Sequence, residues 1–193
     1  MNDKEEELKK VIMDLEEERR DLEDANIELC KRLCESNDEI REAHEELISG
    51  LRGISDESLT VRVKMMGRVD KKPFLKVCEE IFSGKAVALQ HDRLFSKWQE
   101  RVCDSRWEPF KIQRSGDKIL GVVDEEDEKL KKLSIKWGED VKMAVKTALE
   151  ELYEFNGSGR YPVSVLWNFE RGRKATVKEG IIAHMKNLKR KRT

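Results

Sequence analysis

Leucine recurs every seven residues near the start of the chain, at Leu8, Leu15, Leu22 and Leu29. Placing these at d of a heptad puts Ile12, Arg19, Asn26, Leu33, Ile40, Leu47 and Ile54 at a, and continues d through Ser36, Ala43 and Gly50. Ten of these 14 positions are apolar, and the first proline is Pro73. A seam sustained over more than four heptads predicts a coiled coil. One helix from about Leu8 to Ile54 would be ~70 Å long. A rod of that length cannot bury its own stripe, so the pattern predicts a partner helix. Asn26 at an a position favours two strands in register, where it can pair with its copy. The predicted interface is Leu8, Ile12, Leu15, Leu22, Asn26, Leu29, Leu33, Ile40 and Leu47. In a parallel homodimer Glu18 at g would face Glu23 at e of the partner, which repels, so strand orientation stays open.

Composition agrees with a rod joined to a smaller globule. Of 193 residues, 41% are charged and 6% aromatic, with a mean hydropathy of −0.73. A single globule of this length would carry more apolar side chains. Charge is unevenly spread: residues 1–55 hold 18 acidic and 9 basic residues, and residues 56–193 hold 22 acidic and 30 basic. No segment approaches the ~20 apolar residues of a membrane span, and MNDKEEELKK is too acidic for a signal or transit peptide. Cys30, Cys34, Cys78 and Cys103 make poor material for a disulfide framework and fit a reducing compartment, cytosol or nucleus. Cys30 and Cys34 fall at e and b beside the seam and read as free thiols. His44 completes no zinc spacing with them.

Heptad order fades at Ser49-Gly50 and Gly53, and the polar run SDESLT follows. The predicted division is a coiled coil over 1–56, a linker over 57–62, a folded domain over 63–188 and a basic tail over 189–193. In the folded domain Asp70 is placed to cap a helix carrying Phe74, Val77, Cys78, Ile81 and Phe82. Lys85 to Cys103 reads as a second amphipathic helix. Two short β-rich runs flank Ser115-Gly116-Asp117, which suggests a hairpin. Asp124 is a good N-cap, with Glu125, Glu126 and Asp127 in the first turn of a helix carrying Leu130, Leu133 and Trp137. The next helix, through Val141, Val145, Leu149 and Leu152, stops at Asn156-Gly157. Thr176 and Glu179 form a capping box that opens a last helix through Ile181, Ile182, Met185 and Leu188. The predicted fold class is mainly α: a long N-terminal coiled-coil helix followed by a small α+β domain with a β-hairpin.

The chemistry of an enzyme is not in evidence. None of the three histidines, His44, His91 and His184, neighbours a serine or cysteine in a nucleophile motif, and no Walker, GxSxG, HExxH or CxxC sequence occurs. GSGR at 157–160 lacks the Lys-Ser/Thr of a phosphate loop. We therefore expect no enzyme, no cofactor, no metal and no small-molecule substrate. Two kinds of macromolecular contact remain. The stretch NGSGRYPVSVLWNFERGRKAT, residues 156–176, offers Tyr161, Val165, Trp167 and Phe169 to a protein partner. Its Arg160, Arg171, Arg173 and Lys174, with the terminal Lys189, Arg190, Lys191 and Arg192, are candidate contacts to DNA or RNA, since basic residues interleaved with aromatics can grip phosphates and stack bases. The alternative for the same residues is core packing and a solvated helix end.

Four stretches carry a family resemblance: VKMMGRVDKKPF (63–74), LFSKWQERVCDSRWEPFKI (94–112), VVDEEDEKLKKLSIKWGEDVKMAVKTALEELYEFNGSGRYPVSVLWNF (122–169) and GRKATVKEGI (172–181). Together they resemble the XH domain of plant proteins of the factor-of-DNA-methylation family, relatives of the suppressor-of-gene-silencing proteins. The resemblance implies a nuclear, non-enzymatic accessory factor in RNA-directed DNA methylation. It implies that the coiled coil and XH domain pair with themselves and with paralogues. It also implies that the chain is the C-terminal half of such a protein, without the XS domain to which RNA binding is mainly attributed.

Overall fold

Helix α1 runs from Asn2 to Leu51 in the computed structural model, which describes residues 2–54, 58–115 and 118–190. No glycine or proline interrupts it before Gly50. Same-helix ion pairs line its surface, Arg19–Glu23 at 3.2 Å, Arg32–Glu28 at 2.9 Å and Arg41–Glu45 at 3.2 Å. Such exposed pairs add only weakly to the helix. Fifty residues make the helix about 75 Å long. It ends where Gly53 turns the chain with φ of +79°.

The remaining elements follow in chain order. Strand β1 spans Val61–Met66, helix α2 Lys72–Ile81 and helix α3 Lys85–Cys103. Strands β2 (Phe110–Ser115) and β3 (Lys118–Val123) pair antiparallel from Phe110↔Val123 to Ser115↔Lys118. The Gly116-Asp117 turn expected between them lies outside the described residues. Helices α4 (Glu128–Trp137) and α5 (Glu139–Asn156) come next, then strand β4 (Val163–Asn168), strand β5 (Arg173–Lys174) and helix α6 (Val177–Arg190). The fold is mainly α, with a long first helix and a small α+β part containing a hairpin, as expected. Strands β1, β4 and β5 form a second sheet in the order β1-β4-β5, and none of the three was foreseen.

Two compact units divide the chain, with boundaries after Arg62 and after Trp167. The middle unit, 63–167, has its core between α2, α3, α4 and α5. Phe74, Cys78, Val102, Leu130, Val145, Leu149 and Leu152 are fully enclosed there. Trp98 and Trp107 meet edge to face at 5.9 Å, and the Trp107 indole donates to Asp127 at 3.2 Å. The link from β1 to α2 is held by side chains. Glu151 accepts from the Gly67 amide at 2.9 Å and from Lys64 Nζ at 2.5 Å, while Gln99 accepts from the Val69 amide at 2.9 Å. Gly67 has φ of +79°, and a Cβ there would lie 2.2 Å from Leu152, so only glycine fits.

Two local expectations need correction in this unit. Asp127, not Asp124, caps α4, accepting from the Lys129 and Leu130 amides. Asp124 instead closes a turn onto the Glu126 amide at 3.2 Å and takes Lys111 Nζ at 3.2 Å. Asn156-Gly157 does end α5, but Gly157 keeps right-handed φ of −58°. The turn is built by the Asn156 side chain, which accepts from the Gly159 amide and donates to the Tyr161 carbonyl. The left-handed position falls on Arg160, with φ of 52°.

The other unit joins α1 to the end of the chain, so α6 clusters with the rod and not with 63–167. The capping box forms as expected: Thr176 Oγ1 accepts from the Glu179 amide at 3.2 Å, and Glu179 accepts from the Thr176 amide at 2.9 Å. The face of α6 differs from expectation. Gly180, Ala183 and Asn187 are buried, while Ile181, Ile182, Met185 and Leu188 are exposed. Small residues at i, i+3 and i+7 let α6 lie close against the last turns of α1. There Leu51 is buried, and a Cβ on Gly50 would meet the His184 ring at 2.8 Å.

Candidate assembly surfaces

The predicted seam residues share one side of α1 and stand open. Leu8, Ile12, Leu15, Leu22, Leu29, Leu33 and Ile40 are each 46–62% exposed. Soluble proteins seldom leave such a contiguous stripe to water. Arg19, at an a position, leans along its own helix to Glu23. Asn26 is exposed, and Leu47 is half-buried near the end of α1 that packs on α6. The heptad pattern thus runs into an intramolecular contact: Gly50, at d, faces His184 of the same chain. Cys30 and Cys34 are exposed free thiols, whereas burial pushes the Cys78 thiol up.

The four candidate protein contacts in 156–176 separate. Tyr161 is 60% exposed, and Phe169 is open with the Arg62 guanidinium 4.2 Å from its ring centre. Trp167 is half-buried, edge-on to Phe155 at 6.2 Å and with Lys64 Nζ 4.9 Å from its ring centre. Val165 is 7% exposed and belongs to the interior, so it leaves almost no surface for a partner. The apolar side of α6 was missed as a surface, because its spacing reads equally well as a core face.

The basic candidates also separate. Arg160 is 8% exposed. Its Nη2 donates to the Trp107 carbonyl at 2.8 Å, and its guanidinium lies 5.3 Å from the Phe110 ring centre. It is enclosed in the fold, with Nη1 buried and unpartnered, and cannot grip a phosphate from there. Arg173 forms a two-pronged pair with Glu179 at 2.9 and 3.1 Å, and Arg171 lies 4.0 Å from the same carboxylate. The Arg173 pair, with the Thr176 amide and the Asn168 side chain, holds the Glu179 carboxyl down to about 2. Lys174 is exposed. Lys189 and Arg190 line a groove of about 570 Å³ with Arg171, Glu170 and Glu179, where Arg190 donates to Ser58 Oγ at 2.5 Å. Lys191 and Arg192 lie outside the described residues. Among the described residues no histidine, cysteine and carboxylate cluster could hold a metal ion, and no helix is long and apolar enough to cross a membrane.

Comparison with known proteins places the chain in a family. Over 179 residues the chain is 51% identical to Factor of DNA methylation 5 of Arabidopsis thaliana, an alignment covering 91% of this chain and 28% of that protein. It is 46% identical over 190 residues to Factor of DNA methylation 2 of the same plant, covering 97% and 30%. It is 34% identical over 177 residues to Protein INVOLVED IN DE NOVO 2, also of Arabidopsis thaliana, covering 89% and 27%. The chain therefore spans less than a third of the length of these relatives. No solved structure matches it. Residues 64–193 match the XH domain model, and the match reaches from β1 through every later element. The chain belongs to the XH-domain family.

Proposed function

We propose that this chain is a non-enzymatic oligomerisation and assembly module of a nuclear factor in RNA-directed DNA methylation. It pairs with a second copy through α1, and its XH domain makes contacts with itself or with paralogues. The observation that carries the reading is the open stripe on α1. Seven large aliphatic side chains lie along one side of an uninterrupted helix, and each gains roughly 1 kcal/mol or more on passing from half-exposed to buried. Asn26 gives the seam a polar register pin. Tyr161, Phe169 and the outward side of α6 offer further apolar surface for the second contact. The names of the relatives support a role in DNA methylation.

Sedimentation at micromolar concentration tests the pairing. The unaltered chain is expected as a dimer, and Leu22→Glu with Leu29→Glu as a monomer whose folded XH domain persists. A wild-type monomer, or a double variant of unchanged size, would refute the proposal. The nucleic-acid alternative loses Arg160 to the interior and Arg173 to Glu179, so it rests on fewer cations than the sequence promised.

A further inference from the structure

The layers of the α1 seam choose an orientation. In a parallel pair in register every seam residue faces its own copy. Asn26 can hydrogen-bond its copy there, but Arg19 is set against Arg19 at close range. Ala43 and Gly50 stack on themselves, which leaves thin layers beside thick ones. Reversing one helix interchanges the two rows, so a faces d. With Leu29 set opposite Leu33, the further layers are Asn26–Ser36, Leu22–Ile40, Arg19–Ala43, Leu15–Leu47 and Ile12–Gly50. Three of these six layers match apolar with apolar, and one matches polar with polar. In the other two a long side chain meets a short one, which fills space evenly. Sliding one copy by a heptad either way would set Asn26 against Leu29 or Ala43. The flanking charges do not choose. Glu18 meets Glu23 in the parallel pair and Glu46 in the antiparallel one. Arg32, which meets its copy in the antiparallel pair, is held by its own Glu28 at 2.9 Å.

Helix α6 favours the same arrangement. It covers Gly50 through His184 and half-buries Leu47, so it stands where the seam ends. A parallel pair would bring two such helices to one end, and α6 holds four basic residues and one acidic. An antiparallel pair sets each α6 beside the first turns of the second copy, where residues 2–18 hold eight acidic and three basic residues. Val11, at g, is open there and widens the stripe, and no other g position of α1 holds a large apolar side chain. A stripe of that width suits a helix with two neighbours. The open Ile181, Met185 and Leu188 of α6 supply apolar surface for the second one. Building on the α1 pairing already proposed, on which this rests, we propose that the two copies run antiparallel. Asn26 of each lies opposite Ser36 of the other, and each α6 borders the acidic start of the second copy's rod.

Spin labels on the full chain, read by pulsed electron resonance, test the orientation. Cys34→Ser with Cys103→Ser leaves Cys30 as the exposed thiol, since Cys78 is buried. Adding Cys30→Ser and Lys10→Cys moves the label to the outer side of the first turns. Labels at position 30 are expected within about 25 Å of each other, and labels at position 10 about 60 Å apart. Short separations at both positions mean a parallel pair and overturn the proposal. Sedimentation of the same samples reads the pairing itself. A monomer removes the α1 reading and this one with it, whereas a dimer with a short separation at position 10 removes only this one. Asn26→Leu and Ser36→Leu, alone and together, check the register. The two sites lie about 15 Å apart on one helix, too far to couple within a chain. Across an antiparallel seam they are neighbours, so the double variant should dimerise about ten-fold more tightly than the two single effects predict. Additive effects on the dissociation constant would overturn the register proposed.

Discussion

Glu179 ties three segments together with one carboxylate. It accepts from the Arg173 guanidinium, the Thr176 amide and the Asn168 side-chain amide, at 2.9 to 3.1 Å. The Arg173 contact contributes most to lowering its carboxyl from the usual 4.5 to about 2. The unfolded chain takes up this proton near 4.5, so the native ion favours folding fully above that pH. Its contribution is lost as pH falls from 4.5 toward 2. Asp104, held at about 2 chiefly by Arg106, acts in a narrower window, as pH falls from 3.8 toward 2. Glu179→Gln is expected to lower stability at neutral pH and to remove part of the acid dependence between 4.5 and 2, measured by urea unfolding at stepped pH. An unchanged acid slope would contradict the assignment. The capping box was legible because its partners are three residues apart. The fate of Arg160 was not: its acceptor, the Trp107 carbonyl, lies 53 residues away, and no local pattern announces it.

Elements with their own periodicity were the readable ones. Lys85–Cys103 emerged with the expected bounds, because its apolar periodicity is local. Strands β1 and β4 escaped because they pair across about a hundred residues, and short apolar runs do not disclose a distant partner; β5, close behind β4, is only two residues long. The face of α6 was misread for a related reason. Hydrophobicity ranked Ile181 and Met185 above Gly180 and Ala183, but close approach to α1 rewards small size. Gly50 is the sharpest test of the close approach. Gly50→Ala gains about 1 kcal/mol of helix propensity but places a methyl 2.8 Å from His184 Cε1. In a cycle with His184→Ala the two changes should couple by about 0.5–3 kcal/mol. Additive effects would show that the two side chains do not share that space.

For the molecule as a whole, the two units are expected to answer differently to concentration. The proposed pairing through α1 would stabilise by mass action, so melting of the rod should rise with protein concentration, while melting of 63–167 should not. Calorimetry over a hundred-fold range, with Trp fluorescence reporting the middle unit, separates the two; a concentration-independent rod transition would count against pairing. The discontinuous unit has a consequence during synthesis. The rod is translated first, but α6, which packs on its last turns, begins at Val177. At about 5–20 residues per second the ribosome needs roughly 6–25 seconds to go from Leu51 to α6. Throughout that interval the base of the rod lacks its own cover while the stripe on α1 is already complete. Under the proposed pairing, neighbouring nascent chains on one messenger would join along their rods before either has closed its first unit.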